Sequence, residues 1–143
     1  MAGVRRVPLH PGVRAVSAAA QSVVRRFWKA MATNDFHAAS LCLTEDFRLQ
    51  WPQSEEMIEG RADFAALNTA YPSSGPWTFD LRRIVGEGDQ IVTEVVVSDG
   101  TIRATVVTFH TVRGDLIAFQ REFWPEPFDA PEWRRQWVRM PGD

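Results

Sequence analysis

The chain has 143 residues, 45% of them hydrophobic and 24% charged, with a formal net charge of −2 at pH 7. That length suits one domain with a sizeable core, and that charge balance points to neither nucleic acid nor an anionic membrane as partner. No apolar run is long enough to span a bilayer as a helix, and the single cysteine, Cys42, leaves no internal disulfide. A core thiol in a reducing, cytoplasmic setting is the expectation for it.

Residues 1–16 hold two prolines and two glycines without a clear period, so a flexible N-terminal arm is expected there and a single domain over 17–143. Arg5 and Arg6 could open a signal segment, but Pro8, Pro11 and Arg14 interrupt what would be its apolar stretch. Six cations, Arg5 to Lys29, precede the first acid, Asp35. Such an arm is solvated, touches an anion or contacts a neighbouring subunit.

Ser17 is a good N-cap for a helix to about Ala32, with Ala20, Val23, Val24, Phe27 and Met31 at helical spacing. Thr33-Asn34 ends it, and Asp35 caps a second short helix whose apolar residues are Phe36, Ala39, Leu41 and Cys42. Phe47–Trp51 alternates like a short strand and stops at Pro52. Gln53–Gly60 reads as a polar loop, and Arg61–Ala70 as a third helix. On its inward stripe Phe64 and Leu67 are joined by Asn68 and Tyr71, which mark either helix edges or a cavity wall.

Four strand patterns follow: Trp77–Val85, Gln90–Ser98, Thr101–Val112 and Leu116–Trp124. Their short turns, Asp99-Gly100 and Arg113-Gly114 among them, predict an antiparallel meander. Helices followed by a sheet make an α+β protein. Ile91–Val97 is apolar on both faces, which predicts a second cover for the sheet and hence a homodimer through it. After Pro125 come Phe128, then Trp133 and Trp137 four apart in a short helix begun by Asp129-Ala130-Pro131. A flap over a pocket mouth or a clasp on a partner would use them. Three histidines and one cysteine without close spacing predict no metal site.

The last strand carries an acid, Glu122, among Ile117, Phe119, Phe123 and Trp124. Burying a carboxylate is costly unless it is paired or protonated. It is therefore either the acid of a pocket or an outward residue on an amphipathic strand.

Three helices, a strand between the second and third, and a four-stranded meander resemble the cone-shaped fold of the nuclear transport factor 2-like superfamily. The residues that carry the resemblance are Val24–Leu43 with Asn34-Asp35-Phe36 at its turn, Phe47–Pro52, Gly60-Arg61, and Arg121-Glu122-Phe123-Trp124. The tail Glu126–Trp133 with Trp137 is similar to that of bacterial SnoaL-like, polyketide cyclase-like proteins. The resemblance implies a curved antiparallel sheet packed on three helices, with Glu122 pointing into the cone.

Alternation then places Ala118, Gln120 and Trp124 inside too. A G1-type bulge at Gly114 would bring Val106, Thr108 and His110 to the same face, whereas a two-residue turn would put His110 outside. SnoaL-like cyclases carry a histidine on that strand, which makes His110 a second catalytic candidate. The epoxide hydrolases of the superfamily use an Arg and an Asp where this chain has Val95 and Val97. Its ketosteroid isomerases use an acidic donor on the strand that here offers threonines, Arg103 and His110.

A desolvated Glu122 suits a general base near neutral pH, removing a proton α to a carbonyl. His110, Asn68 or Tyr71 would hold the enolate oxygen. Arg48, Gln50, Trp51, Thr108, Gln120 and Trp124 complete the expected ligand-binding set, with Arg48 alternatively pairing with Glu122. The reading is a cofactor-independent cyclase or isomerase acting on a hydrophobic or aromatic small molecule. Its rival is a non-catalytic dimeric module that binds a ligand or a protein in the same cone.

Overall fold

The computed structural model describes residues 11–142, with side chains from residue 17 onward. Helix α1 runs Pro11–Met31, α2 Phe36–Ser40 and α3 Arg61–Ala70. Strands are β1 Leu43–Trp51, β2 Glu56–Glu59, β3 Thr78–Glu87, β4 Gln90–Ser98, β5 Arg103–Arg113 and β6 Leu116–Phe123. A 3-10 helix spans Glu132–Trp137.

α1 starts six residues before the Ser17 expected to cap it, so Ser17 lies inside the helix. Proline is at home in a first turn, where its missing N–H has no helical partner to lose. The remainder of the arm, residues 1–10, lies outside the described residues. The predicted stripe Ala20, Val23, Val24, Phe27 and Met31 is buried, and Trp28 joins it. Asp35 caps α2 by accepting from the Ala38 N–H at 3.0 Å. Leu41, expected on the apolar face of α2, is exposed, while Cys42 is buried.

The sheet is mixed, in the order β2-β1-β6-β5-β4-β3, and is not closed. β3 to β6 form the predicted antiparallel meander, but β1 pairs with β6 in parallel. The turns predicted the meander alone, and the antiparallel sheet implied by the resemblance is extended here by one parallel pair: parallel neighbours are joined through a long excursion, which leaves no turn signal. β2 lies where a polar loop was expected. It pairs Arg48 with Glu59 and Trp51 with Glu56, and of its four residues Ile58 alone is buried. Four residues with one inward apolar side chain are too few for alternation to show.

Three close fits set the geometry of the concave side. Gly86 abuts Ile91 so tightly that an added Cβ would collide with its Cδ1. Asn34, at φ 64°, clamps the start of β3: its Nδ2 donates to Trp77 O at 2.8 Å and its Oδ1 accepts from Trp77 N at 2.7 Å. Buried Asp99 gathers the loop between β4 and β5, accepting N–H bonds from Ser74, Thr101 and Ile102 at 2.7–2.9 Å. Those donors hold its carboxyl below the usual range.

Phe27, Phe47, Leu43, Ile91 and Ile117 are fully buried between the helices and the sheet. Each such side chain contributes roughly 1.5–3 kcal/mol relative to exposure. The tail behaves differently from the expected flap: Phe128, Trp133 and Trp137 are 79%, 72% and 71% exposed.

Candidate functional site

The helices leave a cavity against the concave face of the sheet, about 600 Å³ counting its open mouth. α1 and α2 give it Phe27, Trp28, Met31 and Phe36; β1 gives Leu49 and Trp51; α3 gives Phe64 and Asn68. Trp77 and Phe79 close the β3 side, with Val97 and Val106 between. Gln120 and Glu122 of β6, followed by Trp124, form the remaining wall, and Tyr71 stands near the mouth, half exposed.

The approach of β6 to the cavity depends on a bulge. Arg113 pairs with Leu116 around the two-residue turn Gly114-Asp115, and Gly114 at φ 66° supplies the positive φ such a hairpin needs. By itself that turn would turn His110 outward. The register then shifts between Thr111 and Val112, because Val112 faces Ile117 and Thr111 faces Phe119, which leaves Ala118 as the extra residue. The extra residue restores the phase, so Thr108 lies opposite Glu122 and His110 opposite Gln120 on the inner face. The expected outcome thus arises one step further along β6 than the turn, and Ile117 rather than Ala118 enters the core.

Glu122 is 7% exposed and accepts three hydrogen bonds. Trp51 Nε1 and Trp124 Nε1 donate to Oε1 at 3.1 and 2.8 Å, and Thr108 Oγ1 donates to Oε2 at 2.7 Å. Among the described residues no cation joins them. Arg48, an alternative partner, instead pairs with Glu59 at 3.7 Å in solvent, and Arg121 lies over the Phe123 ring at 5.3 Å. Burial therefore dominates and pushes the Glu122 carboxyl above its ordinary range, although the Thr108, Trp51 and Trp124 donors pull the other way.

The other expected site residues divide into three groups. Trp51, Asn68, Tyr71, Gln120 and Trp124 line the cavity with Glu122. Asn68 has one amide hydrogen committed, since its Nδ2 donates to Phe64 O at 2.8 Å. Arg48 and Gln50 do not line it: β1 turns Phe47, Leu49 and Trp51 inward, so alternation sends these two to the opposite face. Thr108 and His110 sit behind the wall, both 0% exposed. Thr108 reaches Glu122 rather than the cavity.

His110 has both ring nitrogens engaged: Nε2 lies 2.8 Å from Thr93 Oγ1 and Nδ1 lies 3.1 Å from Gln120 Nε2. Phe27 and Trp28 pack edge-on against its ring. Burial lowers its pKa to about 3, so the imidazole is neutral. The role of contacting a ligand oxygen, expected for His110 from sequence, is corrected by this depth.

Sequence reasoning missed Trp28, Phe36, Trp77 and Phe79 as wall residues and Thr93 as a buried polar one. Trp77 and Phe79 do alternate along β3, which was a usable signal. Among the described residues no three His, Cys, Asp or Glu side chains cluster so as to hold a metal ion, and no helix is long and apolar enough to cross a membrane.

The sequence model of the SnoaL-like domain matches residues 24–120, ending two residues before Glu122. A candidate ketosteroid isomerase from Kribbella flavida is 28% identical, with 89% of this chain and 93% of that one covered and a TM-score of 0.79. An NTF-2 like protein of unknown function from Burkholderia xenovorans is 32% identical, covering 87% and 97%, at a TM-score of 0.70. A candidate SnoaL-like polyketide cyclase from Jannaschia sp. shares the fold at 18% identity, covering 85% and 91%, with a TM-score of 0.66. No curated protein matches significantly.

Proposed function

Because the chain belongs to the SnoaL-like domain family, whose fold includes isomerases and polyketide cyclases, we propose that it binds a small hydrophobic or aromatic carbonyl compound and moves a proton on it with Glu122. No cofactor takes part in this reading. Its main support is Glu122 itself: a desolvated carboxylate, held by three neutral donors and faced by no cation among the described residues, on the wall of an aromatic cavity. A carboxyl so raised is a better base toward a carbon acid than one in water.

In this scheme Glu122 takes a proton from the carbon next to the carbonyl. The C–H electron pair moves to the carbonyl oxygen as an enolate. Where the substrate carries a double bond β,γ to the carbonyl, the enolate is extended to a dienolate, and return of the proton to the γ-carbon completes an isomerisation that moves the double bond into conjugation. Attack of the enolate carbon on a second carbonyl of the same molecule closes a ring, and the Glu122 proton then goes to the new alkoxide. Gln120, Asn68 and Tyr71 are the wall groups available to the enolate oxygen. Among the lining residues Glu122 is the one carboxylate and there is no Lys, Arg or His, so an anionic ligand is disfavoured. Val95 is buried in the core and Val97 is apolar wall, which argues against epoxide hydrolysis.

The depth of His110 favours a second reading, a binding protein without turnover, because it removes one of the two catalytic candidates from the cavity. Glu122→Gln decides between them: with an identified carbonyl substrate the variant loses turnover while keeping ligand affinity. Undiminished turnover would remove Glu122 as the base. A wild type that binds such compounds without converting any would leave the binding reading.

We also propose that two copies of a single cytoplasmic domain pair through the outer face of the sheet. Val92, Val96, Val107 and Phe123 are half-buried there and Phe109 is 45% exposed, with Phe109 and Phe123 edge-on at 6.1 Å. Phe109→Lys should convert a dimer to a monomer in sedimentation analysis; an unchanged mass would refute this face.

A further inference from the structure

Behind the cavity wall runs a buried polar row that the chemistry of Glu122 leaves unused. Trp28 Nε1 donates to Thr93 Oγ1 at 3.2 Å, Thr93 Oγ1 lies 2.8 Å from His110 Nε2, and His110 Nδ1 lies 3.1 Å from the Gln120 amide. Thr93, His110 and Gln120 are all at most 1% exposed, which closes the Thr93 hydroxyl and the His110 ring to bulk solvent. Of these three, Gln120 also lines the cavity.

The protons in this row can be counted. Indole N–H can only donate, so Thr93 Oγ1 accepts from Trp28. A neutral imidazole has one N–H, and burial keeps this ring neutral by lowering its pKa to about 3. With Gln120 Nε2 against the ring, Nδ1 must accept, so Nε2 carries the proton and donates to Thr93. Thr93 Oγ1 then accepts twice, and its own hydroxyl proton has no acceptor among the described residues. The opposite direction leaves no proton of Thr93 or His110 without an acceptor: Trp28 donates to Thr93, Thr93 to His110 Nε2, and His110 Nδ1–H to an amide oxygen, which turns the two amide hydrogens of Gln120 to the cavity. The two ends of a glutamine amide have the same outline, so the proton count rather than the shape decides which faces the ring. A buried hydroxyl without an acceptor is the costlier arrangement.

We infer that His110 carries its proton on Nδ1 and holds the Gln120 amide with its oxygen toward the ring and its NH2 group toward the cavity, where it donates to the carbonyl oxygen of a ligand. His110 and Thr93 are then positioning residues, acting through Gln120. The catalytic meaning of this donor rests on the acid–base reading of Glu122: the NH2 group would hold the oxygen on which the enolate charge develops while Glu122 takes the proton. The recognised group is a carbonyl or other neutral acceptor, since a wall without cations gives an anion no partner.

The test is the tautomer of His110 in the ligand-free protein, read by long-range 1H–15N correlation of the imidazoles at neutral pH. The His110 signal is the one lost in His110→Phe. Should that variant not fold, it is the imidazole that shows a nuclear Overhauser effect to Thr93. A proton on Nδ1 with a bare Nε2 is expected; a proton on Nε2 overturns the inference. Thr93→Val should release the ring from this tautomer and lower kcat roughly tenfold or more with little change in KM, whereas Thr93→Ser keeps the tautomer and most of the rate. An unaltered tautomer in Thr93→Val would refute the positioning role. The tautomer needs no substrate, so the two readings fail separately. A proton on Nε2 with an inactive Glu122→Gln overturns the polar row alone. A proton on Nδ1 with a fully active Glu122→Gln overturns the acid–base reading alone.

Discussion

Glu122→Gln should make the protein more stable relative to wild type as the pH rises. The substitution keeps the outline of the side chain. Its Oε1 can still accept from Trp51 and Trp124, and its NH2 group meets the Thr108 hydroxyl, which can accept. The protonated acid is satisfied in the same way. The ionised acid gains three charge-assisted bonds of roughly 1.5–3 kcal/mol each. It gives up its water, at several kcal/mol, with no cation in return. Burial wins, and the folded-state pKa lies above the ordinary 4.5. A raised pKa means that the folded protein holds this proton after the unfolded chain has released it. The associated stability is complete below about pH 4.5 and is lost as the pH rises through the folded-state value. Across that window wild type should lose up to about 1.4 kcal/mol per pH unit relative to the variant, the worth of one proton. Above the window the difference should level off. Urea unfolding of both proteins at a series of pH values measures it, and contributions common to both, such as Asp99, cancel. A difference that stays flat from about pH 4 to 8, or wild type gaining on the variant with rising pH, would refute the argument that desolvation outweighs the three donors.

His110, lowered from 6.5 to about 3, should keep a constant Cε1–H chemical shift between about pH 8 and 5. Its contribution to stability is complete above about pH 6.5 and is lost as the pH falls toward 3; an NMR midpoint near the ordinary value would show that the ring reaches water. Asn34→Ala should cost roughly 2–3 kcal/mol in chemical denaturation, for two hydrogen bonds to Trp77 and a left-handed backbone that alanine tolerates less well. A loss below about 1 kcal/mol would mean that Trp77 is held by other contacts. Gly86→Ala should lower the unfolding midpoint, because its Cβ would meet the buried Ile91 side chain; an unchanged midpoint would show that Ile91 shifts without cost.

Much of the candidate site was legible because its signals are local. Glu122 stands out as one acid in an apolar strand, and alternation puts Gln120 and Trp124 on its side. Asn68 and Tyr71 follow from helical spacing after Phe64. Arg48 and Gln50 were misplaced because the phase of β1 against the core is set by its neighbours β2 and β6, and β2 left no readable pattern. The exposed Trp133 and Trp137 show that aromatic content alone does not say which surface it covers.

By itself the sequence determined the helices from Asp35 onward, the four-stranded meander with its turns, and the presence of an acid that must be desolvated if it faces inward. Capping, period and turn chemistry act within a few residues, so they can be read in one dimension. Only the tertiary structure decided that β1 lies parallel to β6 and that a bulge at Ala118 brings Thr108 opposite Glu122. It also decided that His110 stands behind the wall and reaches the cavity through Gln120. These depend on pairing between residues far apart in the chain, and one extra residue in a strand exchanges its two faces.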